Sequence, residues 1–357
     1  MDTLVDRFRA YLDASPTSFH AARVAADLLE AKGFTALDET AAPERLAAGA
    51  RRYILRGGSL VAFRVGGRNP AEGGFRMVAG HTDSPNLRVK PKPLRYDHGY
   101  LRLGVEPYGG VQQATWVDRD LGMAGRVLVR DGKGHRAALV DLRKPLCRIP
   151  TLAIHLNRGV NDEGLKLNAQ NHLPALFALT DDKSGDPLRA LLGDAIGVGA
   201  TDVLTWDLAL YDLTPATVSG LHGEFLHSAR LDNLASCHAG LEALLAAMDG
   251  DDPESTAVLA LFDHEEIGSN SRSGACGPIL EDVLVRISDG LGATVSQRRQ
   301  ALSASFCVSA DAGHAVHPNY AERHDPANHP VLNGGPLLKV NANQRYATDA
   351  PGAAFWG

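Results

Sequence analysis

The stretch Leu261-Phe262-Asp263-His264-Glu265-Glu266-Ile267-Gly268-Ser269 places a histidine and two adjacent carboxylates directly after an apolar run. Neighbouring glutamates with nothing basic beside them repel and raise one another's pKa, a cost that a metal cation or a proton relay relieves. A Glu-Glu pair alone more often opens a solvated loop, but related patterns recur in the chain. Phe75-Arg76-Met77-Val78-Ala79-Gly80 runs into His81-Thr82-Asp83, and Ser305-Phe306-Cys307-Val308-Ser309 runs into Ala310-Asp311. His81 and Asp83, two apart on an extended segment, point to the same side, so one can bind a metal while the other works in or behind the same site. Asp232 stands at the head of a helical pattern, where capping and the helix dipole would equally explain it.

A histidine and carboxylate set without cysteine suits a divalent metal doing hydrolysis, and this many carboxylates accommodates two metals about 3.5 to 4 Å apart. An aspartate can bridge such a pair, and of Glu265 and Glu266 one would bind metal and one would take the proton from water. The single-zinc pattern His-Glu-x-x-His is absent from the sequence, which disfavours a thermolysin-like site.

The elements that must position these groups are legible in outline. Ala257 to Phe262 has the length of a buried strand, and Gly268 permits a sharp turn after it; ligands in open α/β sheets bind at such strand ends. Leu4, Val5, Phe8, Tyr11 and Leu12 predict a first helix, and Ser18 is expected to cap a second that Gly33 ends. Leu234, Cys237, Leu241, Leu244, Leu245 and Met248 form the buried face of a helix after Asp232. From residue 86 to 220 the pattern changes to short strands and turns, including a hairpin across Asp131-Gly132-Lys133-Gly134 and the alternation of Leu204, Trp206, Leu208 and Leu210. This block separates the ligand-bearing segments and carries no carboxylate cluster at a strand end. It is expected to be a β-rich insertion serving assembly or covering the site, with His155 and His172 structural on composition alone.

With 357 residues, 44% hydrophobic and 22% charged, the chain has the composition of a globular protein of about two domains. A net charge of −6 leaves no broad basic surface for nucleic acid or anionic membrane. The sequence has no apolar run of membrane-spanning length and its start lacks a leader pattern, so a cytoplasmic location is expected. The four cysteines are far apart and are expected to be reduced packing residues.

Taken together, the segments Gly80-His81-Thr82-Asp83-Ser84-Pro85, Ile154-His155-Leu156-Asn157, Arg230-Leu231-Asp232-Asn233, Asp263 through Ser269, Ser309-Ala310-Asp311 through Val316-His317-Pro318-Asn319-Tyr320, and Lys339-Val340-Asn341 with Gln344-Arg345-Tyr346-Ala347-Thr348 resemble the aspartyl aminopeptidase family of di-zinc metallopeptidases. The resemblance implies an α/β fold: a mixed-sheet phosphorylase/hydrolase-like catalytic domain (residues 1–85 and 221–357) interrupted by a β-rich dimerisation domain (residues 86–220). It implies a homo-oligomer, in the family a tetrahedral dodecamer, that removes an N-terminal residue, preferably Asp or Glu, from peptides with a free N-terminus. It also implies two Zn2+ ions per subunit, one held by His81, Asp232 and Asp311 and the other by Asp232 and Glu266, with Asp232 bridging. Glu265 would be the general base, and Asp83 would orient His81. His155 would enter a neighbouring subunit's site, which revises its structural reading, and His317 and Lys339 would lie near the substrate. Family members continue past the Gln-Arg-Tyr-Ala-Thr motif and supply a further histidine ligand there, whereas this chain stops at Phe355-Trp356-Gly357. The second metal position is therefore expected to lack its imidazole. Two alternative readings follow: a shortened, inactive relative keeping an assembly surface and a partial metal site, or another two-metal amide hydrolase such as a carboxypeptidase or deacylase.

Overall fold

A computed structural model describes residues 3–248 and 254–339. The matched segments from Val340 onward lie outside the described residues. Compact packing divides the chain into two units, Met1–Ala310 and Asp311–Gly357.

The first unit contains a six-stranded mixed sheet built from β1 (Thr35–Ala36), β2 (Arg51–Arg56), β3 (Ser59–Arg64), β4 (Phe75–His81), β13 (Thr256–Phe262) and β14 (Phe306–Ser309). Their order is β1-β2-β3-β13-β4-β14. Both β13 and β14 run parallel to β4, with Phe262 opposite His81 and Ser309 opposite Ala79. Three carboxyl ends therefore fall on one edge of the sheet, which the expectation of ligand residues at strand ends requires.

The sheet is covered on both faces, which explains why its central strands read as continuous apolar runs. Leu60, Ala62, Leu259 and Leu261 pack with Ala22, Ala25, Ala26, Leu234, Cys237 and Leu241, from the helices Ser18–Glu30 and Leu231–Ala246. The alternate residues Val61, Phe63, Val258, Ala260 and Phe262 pack with Ile279, Val283, Leu284 and Ile287 of the helix Ile279–Gly290.

Residues 86–212 supply a second six-stranded sheet: β5 (Asn86–Asp97), β6 (Tyr100–Tyr108), β7 (Leu121–Asp131), β8 (Gly134–Cys147), β9 (Ala175–Leu179) and β10 (Val203–Asp212). Its order is β8-β7-β10-β5-β6-β9, antiparallel throughout. It has its own apolar core, including Leu87, Val105, Met123, Val127, Leu188 and Leu210. The hairpin closes with Asp131 opposite Gly134. A small pair, β11 (Thr217–Ser219) and β12 (Phe225–His227), follows. No helix among the described residues is long and apolar enough to cross a membrane.

Four details differ from the sequence expectations. Thr17, not Ser18, is the N-cap of the second helix, and Ser18 is its buried first residue. β14 is exposed along all four residues and stands last in the strand order among the described residues. Of the cysteines, Cys147 and Cys237 are buried, but Cys276 and Cys307 are exposed, the latter on that strand. In β10 the alternation is lost toward the C-terminal end, where Leu208, Ala209, Leu210 and Tyr211 are all buried in the middle of the second sheet.

Gly74 tightens the entry to β4. It has φ of 66°, and a Cβ there would lie 2.1 Å from the backbone oxygen of Ala304, just before β14. Gly74→Ala is therefore expected to destabilise by at least about 1–3 kcal/mol, lowering the melting temperature by roughly 1–4 °C or more in a thermal scan. Gly110→Ala, where a Cβ meets nothing within 4 Å, serves as the control and should change stability by less than about 0.5 kcal/mol.

Candidate metal centre

Three segments of the first unit bring ligand-type side chains to the parallel strand ends. β4 delivers His81 as its last residue, buried at 5% exposure. The chain then turns through Thr82, whose N–H donates to the Phe262 carbonyl at 2.7 Å and whose hydroxyl donates to the Gly58 carbonyl at 2.7 Å. Asp83 follows, 2% exposed.

After β13, His264 takes a left-handed conformation, φ 69°, and starts the short 3₁₀ turn Glu265–Ile267, which Gly268 ends with φ 94°. That turn aims two backbone N–H groups at Asp83. Glu265 N–H donates to Asp83 Oδ1 and Glu266 N–H to Oδ2, each at 3.1 Å. Successive N–H groups at the start of such a turn form an anion-binding concavity, and here the anion is a side chain of the protein.

Asp232 does not serve as an ordinary helix-start residue. It and Asn233 leave helical dihedral angles within Leu231–Ala246, and the Asp232 backbone carbonyl accepts from the Ser84 hydroxyl at 2.6 Å. Its carboxylate instead faces the imidazole, with His81 Nε2 3.2 Å from Asp232 Oδ1. His81 Nε2 also lies 3.8 Å from Glu265 Oε2.

The other ring nitrogen, Nδ1, is 3.0 Å from the Asp83 carbonyl and 3.5 Å from Asp83 Oδ1. With Nδ1–H directed at these oxygens, the free lone pair sits on Nε2, the tautomer a metal ligand needs. His81, Asp232 and Glu266 offer one ligand atom each, all within 4.8 Å of one another. The orienting groups are buried while Asp232 and Glu265 stay about half exposed.

The electrostatics call for a cation. Burial pushes the Glu266 carboxyl up to about 7, and the neighbouring carboxylates Asp232, Asp83 and Glu265 push the same way, with His81 opposing. Burial also works to raise Asp83, but the His81 ring, the Tyr108 hydroxyl and the Glu266 N–H outweigh it and hold that carboxyl below the usual range. Imidazole nitrogen with carboxylate oxygen is a donor set suited to zinc, and a divalent ion would remove the repulsion among the acids. The residues present therefore fit a zinc centre.

Two residues without a ligand-type pattern in the sequence come from the second sheet. Tyr108, the last residue of β6, donates its hydroxyl to Asp83 Oδ2 at 2.7 Å. Gly109 has φ of 70° and lies so close to Glu266 that a Cβ would be 2.9 Å from Glu266 Cβ. Beside the cluster, a cavity of about 610 Å³ reaches Asp83 and Asp232. Two of its lining cations, Arg88 and Arg119, pair with Asp207 and Asp212.

His155 is exposed in a 3₁₀ turn, Ile154–Leu156, and does not join the cluster within one chain. Asp311, His317 and Lys339 belong to the second unit. There Asp311 accepts from the Ala312 N–H at 2.8 Å, and the His317 ring lies 4.9 Å from that of Tyr320. Lys339 is exposed.

The family model described as aminopeptidase I zinc metalloprotease (M18) matches residues 11–356. A probable M18 family aminopeptidase 2 of Streptomyces coelicolor is 48% identical over 352 residues, which span 98% of this chain and 80% of that protein. Among solved structures, the cryo-EM structure of the Ape4 and Nbr1 complex is similar with a TM-score of 0.93 and 36% identity, covering 98% of this chain and 71% of that one. The mApe1 dodecamer of S. cerevisiae is similar with a TM-score of 0.80 and 29% identity, covering 92% and 76%. The chain belongs to the M18 family and is a zinc aminopeptidase of mixed α/β fold.

The contact of Gly109 with Glu266 gives a direct test of the geometry. Gly109→Ala should push the Glu266 side chain aside and lower kcat/KM about 100-fold, the order of loss expected from an ångström-scale misplacement, measured on an aminoacyl anilide.

Proposed function

We propose that this M18 aminopeptidase removes N-terminal residues, with preference for Asp and Glu, by a two-zinc mechanism. The observation that supports the site assignment most is the bracket around His81. Asp83 faces Nδ1, while Nε2 is turned to Asp232 and Glu265. By motif position, His81, Asp232 and Asp311 would hold one ion and Asp232 and Glu266 the other, with Asp232 common to both sets. His81 is the one imidazole in the His81, Asp232 and Glu266 cluster, so we expect the two ions to be held with unequal strength.

Zinc, when bound, supplies the positive charge that polarises the scissile carbonyl and makes water acidic enough to attack it. Glu265 then acts as the proton carrier: its Oε2 takes the proton of the attacking water and returns it to the nitrogen of the departing peptide. Its half-exposed position beside His81 Nε2 lets it reach both partners. Asp83 keeps His81 in one tautomer and one orientation.

Preference for an acidic N-terminal side chain requires a local cation, because the chain as a whole is acidic. Lys339 is our candidate by its place in the motif, with His317 near the substrate. His155 is assigned to the site of a neighbouring subunit in a homo-oligomer. The similar mApe1 of S. cerevisiae is a dodecamer, and the same assembly is our proposal for this chain.

Glu265→Gln should lower turnover roughly 100-fold to 10,000-fold while zinc content, measured by elemental analysis, stays at the wild-type level. Retention of most activity would remove Glu265 as the base. Lys339→Ala should reduce the preference for Asp and Glu over Ala by about 10-fold to 150-fold, the equivalent of the roughly 1.5–3 kcal/mol of a charged hydrogen bond. An unchanged ratio of kcat/KM values across the three substrates would place the cation elsewhere.

A further inference from the structure

We propose that Tyr108 is a positioning residue for the metal centre: its hydroxyl, delivered from the second sheet, fixes the Asp83 carboxylate that orients His81, and so sets how tightly zinc is held. The placement follows from strand register. The chain leaves the site at Ser84 and enters β5 at Asn86, and the residue opposite Asn86 on β6 is Tyr108. Antiparallel pairing thus returns a residue 25 positions later to the point where the chain left. The hydroxyl lies 2.7 Å from Asp83 Oδ2, the length of a charge-assisted bond.

The ring is fixed as well. The Arg88 guanidinium stands over it at 4.4 Å from the centroid, and Arg88 pairs with Asp207 of β10. Two strands of the second sheet therefore anchor the donor, so it holds its place without relying on a loop.

Counting donors explains why the hydroxyl matters. Oδ1 of Asp83 takes the Glu265 N–H and faces His81 Nδ1, while Oδ2 takes the Glu266 N–H and the Tyr108 hydroxyl. Without the hydroxyl, Oδ2 keeps the Glu266 N–H, at 3.1 Å, and the carboxylate is freer to turn about its last bond, which moves Oδ1 from its place 3.5 Å from His81 Nδ1 while the Asp83 backbone carbonyl stays 3.0 Å from that nitrogen. Groups that orient a metal-binding histidine from behind are worth about 10-fold to 100-fold in metal affinity or activity.

This inference rests on the reading of His81 as a zinc ligand, and the test separates the two. Tyr108→Phe keeps the ring and its contact with Arg88 and removes only the hydroxyl. In the full chain, competition against a zinc chelator should show affinity reduced about 10-fold or more, with KM within about twofold because the hydroxyl is engaged by Asp83. Asp83→Asn should show a comparable loss. The double variant Tyr108→Phe/Asp83→Asn should bind zinc no more weakly than the worse single variant, because both changes act through one carboxylate. Wild-type zinc affinity in Tyr108→Phe would overturn the proposal, and so would losses that add in the double variant. His81→Ala is the separate control: if it binds zinc as the wild type does, the metal-site reading itself fails, whatever Tyr108→Phe shows.

Discussion

A single buried carboxylate, Asp83, carries the arrangement of the candidate metal centre. Removing a carboxylate from water costs several kcal/mol, and hydrogen bonds to a charged group return about 1.5–3 kcal/mol each. Three donors, the N–H groups of Glu265 and Glu266 and the hydroxyl of Tyr108, are thus enough to keep it ionised. Glu266 shows the contrast. Burial and three neighbouring acids raise its carboxyl to about 7, whereas the donors around Asp83 hold that carboxyl low despite deeper burial. Asp83 thereby fixes His81 on one side and the Glu265–Ile267 turn on the other, tying together two strand ends with one side chain.

The sheet makes that link possible. β13 lies between β3 and β4, antiparallel to one and parallel to the other, so β4 and β13 end side by side with His81 opposite Phe262. Both faces of these strands are packed against helices, and close packing leaves the strand ends little freedom. The backbone departs from regular structure where the ligand-type residues begin: left-handed at His264, extended at Asp232 within its helix. These departures point the side chains and N–H groups at one another.

Much of this was legible in the residues. Apolar runs breaking into His81, Asp83, Glu265 and Glu266 marked strand ends, because a strand buried on both faces must be apolar until it leaves the sheet. Asp232 was ambiguous, since an acidic residue before a helical pattern also serves as a cap, and only the folded chain separates a cap from a carboxylate turned toward an imidazole. Tyr108 and Gly109 carried no signal. Their importance comes from the register of β5 with β6, which a single sequence does not specify, and a tyrosine at a strand end has no ligand-type pattern around it. The exposure of β14 was hidden for a related reason: composition distinguishes an apolar strand from a polar one but does not give its place in the strand order.

The most direct measurement of the central claim is anomalous X-ray scattering at the zinc absorption edge from crystals of the zinc-loaded protein. Two anomalous peaks are expected, one within bonding distance of His81 Nε2 and Asp232 and the other within bonding distance of Asp232 and Glu266, about 2.0–2.2 Å from each ligand atom, with Asp83 behind the imidazole and outside the ligand sphere. Zinc bound elsewhere on the chain, or at this place but ligated by Asp83 in preference to His81, would contradict it.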